Sequence, residues 1–218
     1  MSVPARPRRQ YDSPRRREQA VATRRKILES SRKLFEADGY EATSIAAIAS
    51  AASVSVKTVY LAFATKSGLL IALWNFLLRG DEDPVPVGQR PWYRAVLEEP
   101  DPSQQLRLNV QNATKIRTRI APMLEVISGA SVSEPEVAAL WRRIQTEYYD
   151  NQAAIIKSIE QKGALRMGLD ITRATDILWT LNHPAAYQLL VVERGWTPAE
   201  YEQWLGDLLC GQLLGPDC

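Results

Sequence analysis

The side chains that most often carry catalysis are scarce in this chain of 218 residues. It contains one histidine, His183, and two cysteines, Cys210 and Cys218, which lie near its C-terminal end. These residues leave no metal-ligand cluster, no Ser-His-Asp set and no Cys-His pair, and there is no glycine-rich phosphate loop. The carboxylates are spread over amphipathic segments, where solvated charge explains them. The composition therefore predicts that the protein is not an enzyme and uses no cofactor or metal.

Charge is distributed unevenly along the chain, and this points to a different kind of chemistry. Residues 1–67 carry 13 Lys and Arg against 6 Asp and Glu, whereas residues 68–218 carry 14 against 19. A basic N-terminal part and an acidic C-terminal part are typical of a protein in which a nucleic-acid-binding domain precedes a domain with a different function. The alternative is a solvated charged tail that has no partner.

Residues 1–17 concentrate positive charge among prolines and cannot build a core, so they are predicted to form a disordered basic tail. Arginines on a flexible arm suit the narrow minor groove of DNA, although a tail of no consequence is the alternative. The arginines of the tail are Arg6, Arg8, Arg9, Arg15, Arg16 and Arg17, of which the last three are predicted DNA contacts.

The apolar segments do not indicate a membrane or secreted protein. The longest apolar run, residues 69–78, is interrupted by Asn75 and has about half the length that a bilayer crossing needs. The N-terminal residues do not resemble a secretion signal, and two cysteines near one end imply no disulfide framework. A cytoplasmic location is expected.

The most informative polar residues lie between Thr43 and Phe63, where the pattern predicts two short helices joined by a tight turn. Ala49 supplies a small residue where the helices cross, and Ser53 stands where such a turn usually has a glycine with positive φ, at a cost of about 1 kcal/mol. The apolar positions that face inward are Ile45, Ile48, Val54, Val59 and Phe63. This arrangement predicts a helix-turn-helix, and a helical hairpin formed for packing alone is the alternative.

Capping residues, glycines and prolines predict an all-α protein with about nine helices. The first helix begins between residues 14 and 23 and ends before Gly39, and a helix of about 28 residues ends at Gly163. Residues 80–102 contain five prolines and are interpreted as a loop, which is either a lid or a linker.

Two candidate capping boxes, residues 133–136 and 197–200, mark helix starts. A helix from Asp101 is expected to end before Pro122, which starts or kinks the next helix. A further helix over residues 171–194 is expected to kink at Pro184.

Three segments of the chain resemble the DNA-binding domain of the TetR/AcrR family of bacterial transcriptional regulators: ILESSRKLFEADGYEATS, IAAIASAASVS and TVYLAFATKSGLL. The resemblance implies a helix-turn-helix domain over residues 18–66 and a helical ligand-binding and dimerisation domain over residues 67–218. It also implies a homodimer that binds double-stranded DNA at a palindromic operator and is released by a small molecule. Most members of the family are repressors.

The second helix of the pair would enter the major groove with its N-terminal residues against the bases. Ser55, Lys57 and Thr58 can form hydrogen bonds there, and Val56 either meets a thymine methyl or packs within the protein. The resemblance implies that Tyr60, Lys66 and Thr43 contact backbone phosphates. For Tyr60 the alternative is core packing, and for Lys66 it is an ordinary surface position.

The last two helices are too apolar on all sides for the surface of a monomer. The resemblance implies that they pack against the same two helices of a second subunit as a four-helix bundle. The predicted interface residues are Ile177, Leu181, Leu189, Trp204, Leu205 and Leu208. His183 is interpreted as a structural residue, with a ligand or sensor role as the alternative.

Aromatic residues are concentrated in the rear domain, and a subset of them could line an apolar cavity with a few polar groups. The predicted pocket residues are Asn112, Arg117, Met123, Trp141, Gln145, Tyr148 and Trp179. A role in the core is the alternative for the aromatic members. The second function considered is a helical interaction module whose basic tail binds RNA or acidic protein partners.

Overall fold

The computed structural model describes residues 14–79 and 87–215, in which all regular structure is helical apart from one bridge between Leu165 and Leu214. The α-helices are α1 (Pro14–Ala42), α2 (Ile45–Ala51), α3 (Val56–Phe63), α4 (Lys66–Arg79), α5 (Pro91–Glu98), α6 (Pro102–Ala130), α7 (Pro135–Gln161), α8 (Ile171–Leu181), α9 (Pro184–Tyr187) and α10 (Pro198–Leu213). A 3₁₀ turn at Val87–Gln89 and a π-helical segment at Gln188–Glu193 complete the described elements. The prediction of an all-α fold is confirmed.

The chain divides into two compact units, Met1–Leu70 and Ile71–Cys218, and the boundary falls inside α4. The start of α1 differs from the tail prediction, because Arg15, Arg16 and Arg17 lie in its first turn. Pro14 provides the reason, since its fixed φ and missing N–H suit the first position of a helix. Arg6, Arg8 and Arg9 lie outside the described residues.

The first unit is built around α1, α2 and α3. Helical geometry in α1 is interrupted at Gly39, whose φ of 77° suits the residue that follows a helix end, as the sequence predicts. Beyond Gly39 the chain turns, and Tyr40 stacks on Phe35 with ring centroids 5.7 Å apart. The fully or almost fully buried side chains of this unit include Ile27, Phe35, Ile48, Val59 and Leu69.

The core of the second unit is formed by one face of the long helices α6 and α7 together with α5, α8 and α10. Its buried side chains include Val96, Leu106, Val110, Ile155, Ile159, Leu178, Tyr201, Leu205 and Leu209. Leu205 is therefore a core residue of the chain itself, which contradicts its prediction as a dimer contact. The apolar stripe of α10 is wide enough that its inner positions belong to this core.

Prolines account for two differences between the predicted and observed helices. The segment interpreted as a loop contains α5, because Pro91 occupies its first turn and Tyr93 and Val96 bury one face. Helix α6 continues through Pro122 instead of ending there. Pro122 is exposed, so water can satisfy the carbonyl that loses its donor, while buried neighbours hold both halves in place.

Thr197 and Glu200 form the predicted reciprocal pair at the start of α10. At the start of α7, Pro135 takes the first helical position and Glu134 is the N-cap, without a side-chain hydrogen bond of its own.

The helix predicted over residues 171–194 is broken rather than kinked. Asn182 ends α8, and the side chain of His183 accepts a hydrogen bond from the amide of Ala185 at 3.3 Å, which caps α9. Pro184 takes the first position of α9, as expected for a residue that cannot continue a helix. The π-helical segment follows, and the chain leaves it at Gly195, which has a φ of 76°.

Among the described residues, no single helix combines the length and apolar character needed to cross a membrane, although the bent pair α2–α3 meets those criteria when its two helices are counted together.

Candidate nucleic-acid interface and ligand cavity

Helices α2 and α3 meet at an angle of 107° across the link formed by residues 52–55. Both the angle and the length of the link are typical of a helix-turn-helix. Ser53 has a φ of 53°, so a serine adopts the conformation that glycine usually supplies. The turn is closed by hydrogen bonds from the amides of Ser53 to Ser50 O and of Val54 to Ala49 O, at 3.0 and 2.9 Å.

Two serines cap these helices. The side chain of Ser44 accepts a hydrogen bond from the amide of Ala47 at 3.1 Å, so Ser44 is the N-cap of α2. The side chain of Ser55 accepts from the amide of Thr58 at 3.0 Å, and the two hydroxyls are 2.8 Å apart. The cap fixes Ser55 and Thr58 against each other at the exposed start of α3.

The outer face of α3 is accessible along its length. Val56 and Lys57 are exposed at its start, Tyr60 is 50% exposed and Leu61 is 79% exposed, whereas Val59 faces the core. The DNA-contact interpretation requires Val56 and Tyr60 to be exposed, as they are. Core packing would require them to be buried. Leu61 was not among the predicted contacts.

Thr43 disagrees with its predicted role as a phosphate contact. Its side chain is buried, and its hydroxyl lies 2.7 Å from Gly39 O and 3.2 Å from Leu34 O, to which it can donate. The reason is local, because the interruption of α1 at Gly39 leaves carbonyls that need donors. Thr43 therefore secures the end of α1, and the exposed hydroxyl at this corner belongs to Ser44.

Lys66, at the start of α4, is held against the end of α1. Its Nζ lies 4.1 Å from the centre of the Tyr40 ring and 3.4 Å from the carbonyl oxygen of Glu41. The ammonium group is thus positioned by a cation–π contact and a backbone acceptor, and Lys66 is only half-buried. These two contacts distinguish it from an ordinary surface lysine, and it remains partly accessible.

The end of α3 is fixed by a contact that sequence reasoning missed. The guanidinium of Arg24 lies 4.2 Å from the centre of the Phe63 ring, and its Nη1 donates to the carbonyl of Ala62 at 2.8 Å. A cation at a helix C-terminus is favourable because the last carbonyls carry partial negative charge. Nothing in the local pattern of α1 separates Arg24 from its basic neighbours.

The turn from α3 to α4 is strained and very tight. Ala64 has a φ of 63° and a ψ of −51°, and the amide of Thr65 donates to Phe63 O at 2.7 Å, which defines a rare γ-turn. Any Cβ at Gly68 would lie 2.3 Å from Phe63 O. Gly68 is therefore required by the close approach of α4 to the end of α3.

The second unit contains a cavity of about 690 Å³, a volume within the range of small-molecule sites. Its walls come from α4, α5, α6, α7 and the chain from His183 to Glu193. The predicted pocket residues that line it are Arg117, Trp141, Gln145 and Tyr148. Lining residues that were not predicted include Trp74, Trp92 and Gln188.

Three predicted pocket residues lie elsewhere. Met123 is fully buried in the core. The side-chain amide of Asn112 donates to the carbonyl of Trp92 at 3.3 Å. The ring of Trp179 packs edge-on against His183, with centroids 5.5 Å apart. Asn112 and Met123 stand on α6, which contributes other residues to the cavity, so the rotation of that helix decides their outcome, whereas α8, which carries Trp179, contributes none.

A hydrogen-bonded network joins α6, α7 and the end of α8 beside the cavity. The side-chain oxygen of Gln152 accepts from the amide groups of Asn109 and Asn182, each at 3.2 Å. Nη2 of Arg117 donates to Asn182 Oδ1 at 2.6 Å, to Tyr148 Oη at 3.2 Å and to the carbonyl of Asn182. Tyr148 also donates its hydroxyl hydrogen to the carbonyl of Asn182.

Burial shifts the pKa of several groups at the cavity. Burial raises the pKa of the Tyr148 phenol, and the charge of Arg117 opposes that rise. Burial, with a further contribution from Arg117, lowers the pKa of His183 below 6.5. Burial raises the pKa of Tyr93 to about 12, and its hydroxyl donates to the carbonyl of Asn151 at 2.7 Å. The neutral forms of all three groups are therefore favoured.

Some of the predicted dimer contacts are exposed in the structure and others are partly or fully buried. Leu189 is 54% exposed, and Trp204 is also exposed, as is Val192 nearby at 57%. Ile177, Leu181 and Leu208 are half-buried, and Leu205 lies in the core. Among the predicted dimer contacts, the exposed ones are therefore Leu189 on the π-helical segment and Trp204 on α10.

The residues that the structure describes contain no group of three or more His, Cys, Asp or Glu side chains placed to hold a metal ion.

Residues 27–73 match the family model described as bacterial regulatory proteins, tetR family. The fold is similar to that of NalD from Pseudomonas aeruginosa, the secondary repressor of the MexAB-OprM multidrug efflux pump. The sequence identity is 20%, 90% of this chain and 98% of that chain are covered, and the TM-score is 0.67.

Two further structures with bound small molecules are similar. A putative transcriptional regulator from Saccharomonospora viridis in complex with choline has 18% identity, coverage of 89% and 98%, and a TM-score of 0.68. The transcriptional regulator FadR from Bacillus subtilis in complex with stearoyl-CoA has 17% identity, coverage of 86% and 98%, and a TM-score of 0.65. At these identities the likeness shows the fold. No curated protein matches the chain in sequence.

Proposed function

We propose that this chain, a member of the tetR family of bacterial regulatory proteins through residues 27–73, is a ligand-responsive transcriptional regulator that binds DNA. It binds a palindromic operator as a homodimer, acts as a repressor and is released when a small molecule occupies the cavity. NalD, a repressor by its description, shares the fold.

The observation that carries this proposal is the geometry of α3. The helix crosses α2 at 107°, and its N-terminal residues Ser55, Val56 and Lys57 are exposed together with Tyr60. A short helix held in this way can lie in a major groove with its first turn against the bases. Lys57 and Ser55 offer hydrogen-bond donors, and the methyl groups of Val56 fit the methyl group of thymine.

Dimerisation follows from the way in which such heads read DNA. One helix-turn-helix covers one half-site, and two-fold symmetry places the second head about one helical turn away. Leu189, Val192 and Trp204 provide exposed apolar surface on the second unit, which a symmetric partner can cover.

Release requires that the small molecule bind more tightly to the form that does not bind DNA. A ligand with equal affinity for both forms would shift nothing, however tightly it bound. The cavity lies wholly in the second unit, so the effector and the DNA occupy different sites.

Selection of duplexes from a random pool with the full chain tests the proposal. The expected product is an inverted repeat whose half-sites are one helical turn apart, bound by two chains. Equal binding of random DNA or of RNA would contradict it and favour the helical interaction module instead.

A pair of matched variants locates the contact. We expect Lys57→Ala to weaken binding to the selected duplex by about 1–3 kcal/mol, measured by fluorescence anisotropy at fixed salt. Lys157→Ala removes the same exposed side chain from α7 and should leave the affinity unchanged. Equal affinities of the two variants would show that α3 does not read the DNA.

A further inference from the structure

Arg117 is a positive charge that the fold buries beside the cavity without an acidic partner. Its side chain is only 2% exposed, and among the described residues no Asp or Glu forms an ion pair with it. Its hydrogen bonds go to neutral oxygens of Asn182 and Tyr148, and its Nη1 has no hydrogen-bond partner in the described part of the chain. Its other neighbour is the neutral Tyr201 ring, whose centre lies 5.9 Å from Cζ. A buried charge that lacks a counter-charge is costly.

The cavity beside Arg117 is mainly apolar. Its walls include the aromatic or aliphatic side chains of Trp74, Trp92, Ile116, Ile120, Leu124 and Trp141. A ligand that fills this volume must present a mostly hydrocarbon surface to these walls. Arg117 is the only Lys or Arg among the lining residues that the structure describes.

The acidic residues of the cavity lie on its solvent side. Glu125, Glu147, Asp150 and Glu193 line it and are all exposed. Their negative charge disfavours a ligand with several anionic groups at the mouth, although water and salt screen them. Arg117 is shielded from solvent, so its field acts over a longer range within the cavity.

We propose that the effector is an amphiphile with one carboxylate, whose apolar body fills the cavity and whose carboxylate pairs with Arg117. This assignment rests on the proposed function, because it names the chemical class of the small molecule that acts at the same cavity. The single negative charge compensates the buried guanidinium, and the absence of further anionic groups avoids the acidic mouth. A neutral or cationic ligand of the same shape leaves Arg117 uncompensated.

Matched probes test the charge requirement directly. Decanoate is compared with 1-decanol and decyltrimethylammonium, and 1-naphthoate with 1-naphthol, all below their micellar concentrations. Binding to the full chain is followed by the fluorescence of the tryptophans in the cavity wall. We expect at least one acid to bind at least tenfold more tightly than its alcohol. Equal affinities, a preference for the ammonium probe, or binding of none of the five would overturn the assignment.

Substitutions then identify the responsible residue. Arg117→Met removes the charge at similar length, and the preference for the acid should fall to about one while the alcohol still binds. Arg142→Met makes the same change at an exposed arginine of α7 outside the cavity and should keep the preference. If Arg117→Met fails to bind the alcohol or to fold, Arg117→Lys replaces it, and loss of the preference in that charge-retaining variant would contradict the assignment.

Binding of the selected DNA duplex without any probe separates the two proposals. DNA binding together with no preference for an acid would overturn only the effector class. An acid preference in a chain that binds no duplex would leave the pairing of a carboxylate ligand with Arg117 standing and overturn the proposed function.

Discussion

Gly68 is the position at which a single methyl group should most disturb the DNA-binding unit. A Cβ there would lie 2.3 Å from the carbonyl oxygen of Phe63 and 3.1 Å from Oγ1 of Thr65. The first distance is roughly 1 Å shorter than ordinary contact, and the atom it meets is backbone at the end of α3. We therefore expect Gly68→Ala to displace the turn between α3 and α4.

The magnitude follows from two opposing contributions. Overpacking against a backbone atom costs about 2–3 kcal/mol, and replacing a helical glycine by alanine returns about 0.5–1 kcal/mol. The expected net loss of stability is therefore about 1–2 kcal/mol. Gly129→Ala is the matched control, because no atom lies within 4 Å of its added Cβ and its φ is not positive, so it should gain about 0.5–1 kcal/mol.

The distribution of tryptophan provides the assay. All six tryptophans lie between residues 74 and 204, so their fluorescence reports on the second unit, whereas far-ultraviolet circular dichroism reports on both. In urea unfolding, Gly68→Ala should shift the circular dichroism transition to lower urea and leave the fluorescence transition in place. A variant as stable as the wild type by both probes would show that Phe63 and Gly68 do not approach as closely as described.

Two further predictions concern the turn of the helix-turn-helix and the break after α8. Ser53→Gly should stabilise the first unit by about 0.5–1 kcal/mol in urea unfolding followed by circular dichroism, because glycine relieves the positive φ. Ser50→Gly, at an exposed helical position, should destabilise it by about 0.5 kcal/mol, and the same sign for both variants would refute the strain argument. Burial lowers the pKa of His183 below 6.5, so the unfolded chain binds its proton more readily than the folded chain. Stability should therefore fall as the pH drops below about 6.5, and His183→Asn should reduce that fall when unfolding is compared at about pH 7.5 and about pH 5.5; an identical fall in both proteins would refute it.

The local features of the helix-turn-helix could be predicted from the sequence because they depend on neighbouring residues. The positive φ at Ser53 and the cap at Ser55 follow from short-range patterns, whereas the outward position of Tyr60 was implied by the resemblance alone. Thr43 could not be assigned correctly, because the fate of its hydroxyl depends on which carbonyls the interruption of α1 leaves unpaired. The hydrogen bond from Arg24 to the carbonyl of Ala62 joins residues 38 positions apart, and no local pattern shows it.

In the second unit, the sequence predicted helix ends better than helix rotations. Glycines and the Thr197 capping box marked the correct boundaries, whereas Pro91 was interpreted as part of a loop although it begins α5. Trp141 and Trp179 are the same residue type and lie at similar positions in the apolar spacing of their helices. Only Trp141 lines the cavity. The difference arises when α7 and α8 pack, and periodicity alone does not determine it.

The burial of Arg117, by contrast, left a signal in the sequence. Counting in helical turns along α6, it occupies the same stripe as Val110, Thr114, Ala121 and Leu124, and all five side chains are buried. An arginine on the apolar stripe of a long helix has to be desolvated when the helix packs, which destabilises the fold unless a counter-charge arrives. Its neutral partners offset only part of that cost. A charge in this position is therefore better explained by a ligand that pairs with it than by a contribution to stability, and the same reasoning identifies it as the first residue to change in a search for the effector.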